Sequence, residues 1–357
     1  MNLNRLYKSV FKSALALIAV VTLSACDNIS FGDDDNGTGD GSAGSPEVVQ
    51  GDCNAVTTGV NWDALMTENC PNLSDYNLFA DKTDPTANPN DSGIPYDLST
   101  ALFTDYASKY RFVFIPEGKT VNYSEHEVLE FPVGSVLVKT FAMPENTSFR
   151  EGGELVIETR LLILRENGWV ARPYYWENQD DAILAIAGKS IPDMTTNHNG
   201  VDITFTYGVP KATSCTSCHA VVPLLQDSED TRGAIFKPIG PKARFLNKDF
   251  DYGDTIANQL SYWEEKGILA NLPVNMGEVS KAPVFSDTTD INALNSEDLM
   301  DTAKAYLDIN CAHCHRSEYT LPEPNYAGAA GGSGLQVEYN RPYEENPGKF
   351  GVCKTPV

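Results

Sequence analysis

Apolar and polar residues alternate with period two from about position 96 to 207. This pattern predicts strands at 110–115, 135–141, 155–164, 169–175 and 201–207. In the last of these, Val201, Ile203, Phe205 and Tyr207 alternate with polar partners, and Asn167-Gly168 marks a tight hairpin between two others. No strand-helix-strand alternation interrupts the series. The expected product is an antiparallel β-sandwich or barrel of roughly a hundred residues, long enough to bury its own core.

Beyond Pro210 the period lengthens. Positions 256–266 place Ile256, Leu260 and Trp263 on one helical face, with Gly267 and Ile268 as a C-terminal cap. Positions 296–315 place Leu299, Ala303, Tyr306 and Leu307 on one face, and Asn295 with Asp298 reads as the N-terminal cap. This half of the chain is expected to be mainly helical. At the other end, Arg5, Lys8 and Lys12 precede an apolar run over 14–23, which is too short to span a bilayer and reads as an export signal. The sequence Leu23-Ser24-Ala25-Cys26 resembles a lipobox, so Cys26 is the expected lipidated N-terminus; ordinary signal cleavage is the alternative. Positions 27–50 carry six acids and no Lys or Arg, as a solvated tether would; Asp33-Asp34-Asp35-Asn36-Gly37 lacks the downstream Glu of a calcium loop. The expected layout is a signal peptide (1–25), an acidic linker (26–50), a mainly-β domain (51–210) and two further regions (211–290 and 291–357).

The net charge of −23 excludes nucleic acid as a natural partner and disfavours anionic lipid. An acidic face suits docking to a basic partner, although plain solubility accounts for the excess equally well. Eight cysteines divide by context. Cys53 and Cys70 lie close together in an exported chain, and a disulfide between them is expected. Cys353 is left without an evident partner.

The remaining four form two copies of one arrangement, Cys215-Thr216-Ser217-Cys218-His219 and Cys311-Ala312-His313-Cys314-His315. Two thiols three positions apart can reach both vinyl groups of one porphyrin, and the His directly after can ligate its iron, the pattern of covalent c-type haem. Zinc sites and redox disulfides also use CxxC, but no further zinc ligands are spaced nearby, and haem c is attached outside the cytoplasm, where the export signal sends the chain. Two haem c groups are therefore expected, with His219 and His315 as proximal ligands. The fold class that follows is multidomain: a β-sandwich or barrel-like domain, then a mainly α-helical, cytochrome c-like haem region.

Distal ligands are the open question. His313 sits within its own motif and does not readily reach across to the same iron. Met194 and His198 lie in a predicted loop at 191–200, before the strand that feeds the first motif, and Met276 follows the helix after it. These three are the candidate distal ligands, against the alternative that each is a packing or surface residue. Downstream of His315 there is no Met or His and no convincing apolar helix, so the second haem region reads as incomplete. Tyr174 to Asp181 concentrates aromatic and polar groups, which suits a small-ligand site or a strand end packing on the core. A nucleophile elbow, a P-loop and a dinucleotide fingerprint are all absent from the sequence.

The ordered segments PYDLSTALFTDYASKYRFVFIPEG, EVLEFPVGSVLVKTFAMP, IETRLLILRENGW, YYWENQDDA, CTSCH, PIGPKARFLN, NQL, YLDINCAHCH, SGL and GVCK together resemble a family of exported dihaem c-type cytochromes, from about position 75 to the end. The resemblance implies haem attachment at Cys215, Cys218, Cys311 and Cys314, iron ligation by His219 and His315, and electron transfer. It also implies a redox partner protein, with a parallel β-helix repeat protein encoded nearby as one candidate. Family members continue past GVCK to a Met-Met-Pro-type motif and a closing helix, whereas this chain ends at Val357. The reading is an electron-carrying lipoprotein facing the periplasm, its membrane unassigned. Two alternatives are a dihaem peroxidase-like or substrate-oxidising enzyme with an open haem, and a partner- or glycan-binding β module with the haems as relay.

Overall fold

All five predicted strands form. The computed structural model describes residues 51–91, 93–223, 234–286, 289–316 and 326–351. The predicted signal, Cys26, the acidic linker and Cys353 lie outside them. In chain order the strands are β1 (Ile94–Pro95), β2 (Ser108–Phe114), β3 (Val121–Asn122), β4 (Val136–Asn146), β5 (Phe149–Arg165), β6 (Gly168–Trp176), β7 (Ala182–Leu184), β8 (Lys189–His198) and β9 (Val201–Val209). Eight of these make one sheet in the order β1-β2-β4-β5-β6-β7, with β8 pairing β4 and β9. The pairs are antiparallel except for a single parallel contact of β4 with β8 at Asn146 and Asn197. Strand β3 stands apart and pairs in parallel with Leu269–Ala270.

The expected sandwich or barrel does not form, and neither does a separate helical haem region. A single open sheet is covered on its two faces by different parts of the chain. Phe112, Val138 and Leu161 lie side by side on one face. They pack on helix α1 (Trp62–Thr67) and the segment after it through Leu65, Leu73, Tyr76 and Leu78. Val113, Leu137 and Leu162 line the other face. There they meet Phe245, Leu246, Leu260, Trp263 and Ile309, all from beyond Pro210. The physical reason is a shortage of helix. Downstream of Pro210 the α-helices among the described residues are α2 (Thr216–His219), α3 (Ala243–Leu246), α4 (Gln259–Glu265) and α5 (Ser296–Asn310). Only α5 exceeds two turns, and pieces this short cannot enclose a core of their own. They use the sheet as the wall they lack.

Two local expectations also change. Positions 191–200, expected as a loop, are mostly strand β8, which carries Met194 and His198. A bulge between Ile191 and Met194, with Asp193 at φ 54°, breaks the period-two signal there. In α5 the Asn295 side chain caps the backbone amides of Glu297 and Asp298 as expected. The buried face, however, is Thr302, Ala305, Asp308 and Ile309, while Leu299 and Tyr306 remain exposed.

The Cys53–Cys70 disulfide is present and closes a loop of sequence separation 17 beside α1. Its removal in a Cys53→Ala/Cys70→Ala variant is expected to cost about 3 kcal/mol through the freed loop entropy of the unfolded chain. A lowered denaturation midpoint checks this, and an unchanged midpoint would count against it.

Candidate functional site

The first motif is helical throughout. A 3₁₀ turn at Ala212–Cys215 runs directly into α2. Helical spacing of three and four then sets Cys215, Cys218 and His219 on one side. All three line a cavity of about 470 Å³ between this turn and the sheet, within the range of roughly 300–1,000 Å³ usual for cofactor pockets. The Nδ1 of His219 lies 2.7 Å from the carbonyl oxygen of Lys237, and its ring stacks on Phe236 at 4.8 Å. Such a bond holds the proton on Nδ1 and leaves Nε2 free as a donor to a metal. Burial pushes His219 down to about 4, against the opposing pull of the Lys237 carbonyl, so the imidazole is neutral at physiological pH.

The cavity floor consists of two rungs of the sheet. One is apolar, with Leu137, Leu162 and Ala171 in register across β4, β5 and β6. The other places Arg111, Lys139 and Arg160 directly opposite one another across β2, β4 and β5. Like charges in such positions repel. Arg111 is held by Asp97 at 2.6 Å, and Arg160 by the fully buried Glu158. Lys139 has no ion-pair partner among the described residues. Burial and then Arg111 drive its pKa well below that of a free lysine. The Nη2 of Arg111 is buried without a hydrogen-bond partner. With Arg111 and Arg160 each paired to a carboxylate, this rung gives the otherwise apolar cavity one polar, basic edge. Such an edge would suit a flat apolar ligand carrying carboxylates.

The second motif is tied to the first. Cys311 to His315 form the turn that ends α5, with the amide of His315 donating to the Cys311 carbonyl at 2.8 Å. The strand after the first motif, β10 (Ala220–Pro223), pairs on one side with β11 (Ile235–Phe236) and on the other with Tyr326–Gly328, which follows the second motif. Gly328 lies so close to this turn that a Cβ there would sit 2.3 Å from the Cys314 carbonyl oxygen, so only glycine fits. The Sγ of Cys314 comes within 3.7 Å of the Ser217 carbonyl inside the first motif. The Nδ1 of His315 is 3.0 Å from Ser333 Oγ, and Arg316 is anchored by the buried Glu127 at 2.6 Å.

The helix carrying the second motif also forms a wall of the first cavity. Tyr306, Ile309 and Asn310 follow helical spacing along it, and His313 joins them from the turn after it. Asp308 on the buried side fixes this helix, with Lys242 Nζ at 3.0 Å and Arg244 Nη2 at 3.1 Å from its carboxylate. Cys311, Cys314 and His315 are not part of that cavity wall.

The candidate distal ligands Met194, His198 and Met276 do not line this cavity. Met194 is buried beneath β8 and β9 among Phe141, Ile157 and Tyr207. The ring of His198 packs on Tyr106 at 4.8 Å, and its Nδ1 is 2.8 Å from Thr147 Oγ1. Met276 packs at the edge of the core beside α4. The aromatic run at Tyr174 and Trp176 is core, as one of its two readings had it. Sequence reasoning missed the Arg111-Lys139-Arg160 rung and set His313 aside as confined to its own motif, whereas His313 lines this cavity. Strand register across β2, β4 and β5 would have exposed the rung, but register is not written in any one strand.

Cys215, Cys218, Cys311 and Cys314 are unpaired thiols. Among the described residues, no three His, Cys, Asp or Glu side chains are grouped to hold a bare metal ion. Structural zinc asks for four such donors, whereas a haem iron takes four nitrogens from its porphyrin and needs only one or two from the protein. The donor set at the first cavity, two thiols and one oriented neutral imidazole, fits haem c. No family model, curated protein or solved structure matches the chain.

Proposed function

We propose that this chain is a dihaem c-type cytochrome of the bacterial cell envelope, exported and anchored by lipid at Cys26, that carries electrons. The observation that carries the reading is the first cavity, in which two helically spaced thiols and the His219 imidazole face an apolar floor that ends in the Arg111-Lys139-Arg160 rung. Haem c, when bound there, supplies a one-electron iron couple.

Cys215 and Cys218 would tether the porphyrin, and His219, its Nδ1 proton held by the Lys237 carbonyl, would present Nε2 to the iron. Arg111, Lys139 and Arg160 would meet the two propionates, and this would relieve their mutual repulsion. The apolar rung and Ile309 would exclude water from the ring. Cys311, Cys314 and His315 would hold the second haem, close to the first because β10 pins the two motifs together. The acidic surface suits a basic redox partner whose docking weakens with salt. A parallel β-helix repeat protein is one candidate partner.

The test is the covalent haem content of full-length protein produced with the c-haem maturation machinery. Pyridine haemochrome absorbance and intact mass should give two haems per chain. A chain that matures at normal yield with none refutes the reading.

A further inference from the structure

Resting on the haem reading above, we propose that His313, the residue between the two cysteines of the second motif, is the sixth ligand to the iron of the first haem. His219 and His313 contribute to the wall of the same cavity, one from α2 and the other from the turn that ends α5. They also share a smaller neighbouring cavity. The Nδ1 of His313 is buried without a well-formed hydrogen bond, with only a weak pull from the Ile309 carbonyl. An under-satisfied buried nitrogen of this kind costs stability unless some absent group satisfies it. His315, by contrast, has its Nδ1 against Ser333 and stands outside this cavity.

The placement also explains why a histidine inside a CxxCH motif escapes its own geometry. From the turn that ends α5 it joins Tyr306, Ile309 and Asn310 in lining the first cavity. The second attachment turn would thereby ligate the first haem. One short loop would then link both irons, an arrangement suited to transfer between them and closed to peroxide at the first iron.

Full-length Cys311→Ala/Cys314→Ala isolates the first haem while keeping His313. Its covalent haem count should be one, and its ferric and ferrous absorption and electron paramagnetic resonance spectra should be those of low-spin iron with two imidazoles. In the same background, His313→Ala should keep the covalent haem, turn it high-spin and let it bind carbon monoxide at about one per chain. Added imidazole should restore the low-spin spectrum, and His313→Met should give a methionine-iron charge-transfer band. A single haem that is high-spin or methionine-ligated with His313 present overturns the proposal, as does a His313→Ala spectrum identical to its parent. Either result leaves the haem reading standing, whereas the absence of covalent haem from the wild-type chain would bring down both.

Discussion

Asp308→Ala is expected to destabilise the protein by about 3–5 kcal/mol, because it removes the anion shared by two buried cations. Asp308 is 2% exposed and Arg244 is 2% exposed, so neither Arg244 nor the nearly buried Lys242 can turn to water without moving α3. The pair is also what turns a polar position of α5 inward, so the loss should reach the turn at Cys311 to His315 that this helix carries. The measurement is the midpoint of denaturant unfolding of the haem-loaded chain; a shift worth less than about 1 kcal/mol would show that the cations find other partners. Acid should act on the same group. Burial by itself would raise the Asp308 carboxyl, but Arg244 and Lys242 override it and hold the group down at about 2 instead of 3.8. A depressed folded pKa gives stability that is fully present above pH about 4 and is lost as the pH falls toward 2. Asp308→Asn should therefore flatten that part of the acid-stability curve while lowering the plateau above it.

Cys215→Ala/Cys218→Ala should reduce the covalent haem content from two per chain to one and destabilise the fold by more than the loss of two thiols would. The reason lies in what surrounds the ring. Without it, a space of about 470 Å³ opens between the sheet and α5. Water entering that space would wet Leu137, Leu162 and Ile309, while Arg111, Lys139 and Arg160 would keep their mutual repulsion without the propionates. Cys311→Ala/Cys314→Ala should also remove one haem, with a smaller loss of stability, since those cysteines stand outside this cavity. Haem stoichiometry and thermal melts of the two double variants, compared side by side, check the asymmetry. Equal melting temperatures would show that the first haem is not a structural part of the core.

Strand β9 was legible because one of its faces leaves water and alternation records this directly, whereas β2 and β4, covered on both faces, read as short apolar runs. Strand β8 was hidden by its bulge, where two residues oppose one and the count slips. The helix cap at Asn295 was legible because capping is local. The inward face of α5 was not, since Asp308 is drawn inside by two cations more than sixty positions upstream and no hydrophobic pattern marks it. The same limit applied to the expected helical haem region. Downstream of Pro210 helices were expected over 256–266 and 296–315; they form at Gln259–Glu265 and Ser296–Asn310, with Ile256 in a short strand and exposed, and periodicity is silent about whether a helix has a partner of its own or borrows a sheet.

By itself the sequence determined local features: two CxxCH motifs with their thiols and histidines at fixed spacing, a paired Cys53 and Cys70, and the five strands. Those are properties of neighbours along the chain, set by backbone periods of 3.6 and 2. Only the tertiary structure decided what each motif faces. It brought Arg111, Lys139 and Arg160 onto one rung and placed His313 in the wall of the first cavity instead of beside its own cysteines. Strand register and the buried Asp308 anchor act between residues far apart in sequence, and the folded core is where they meet.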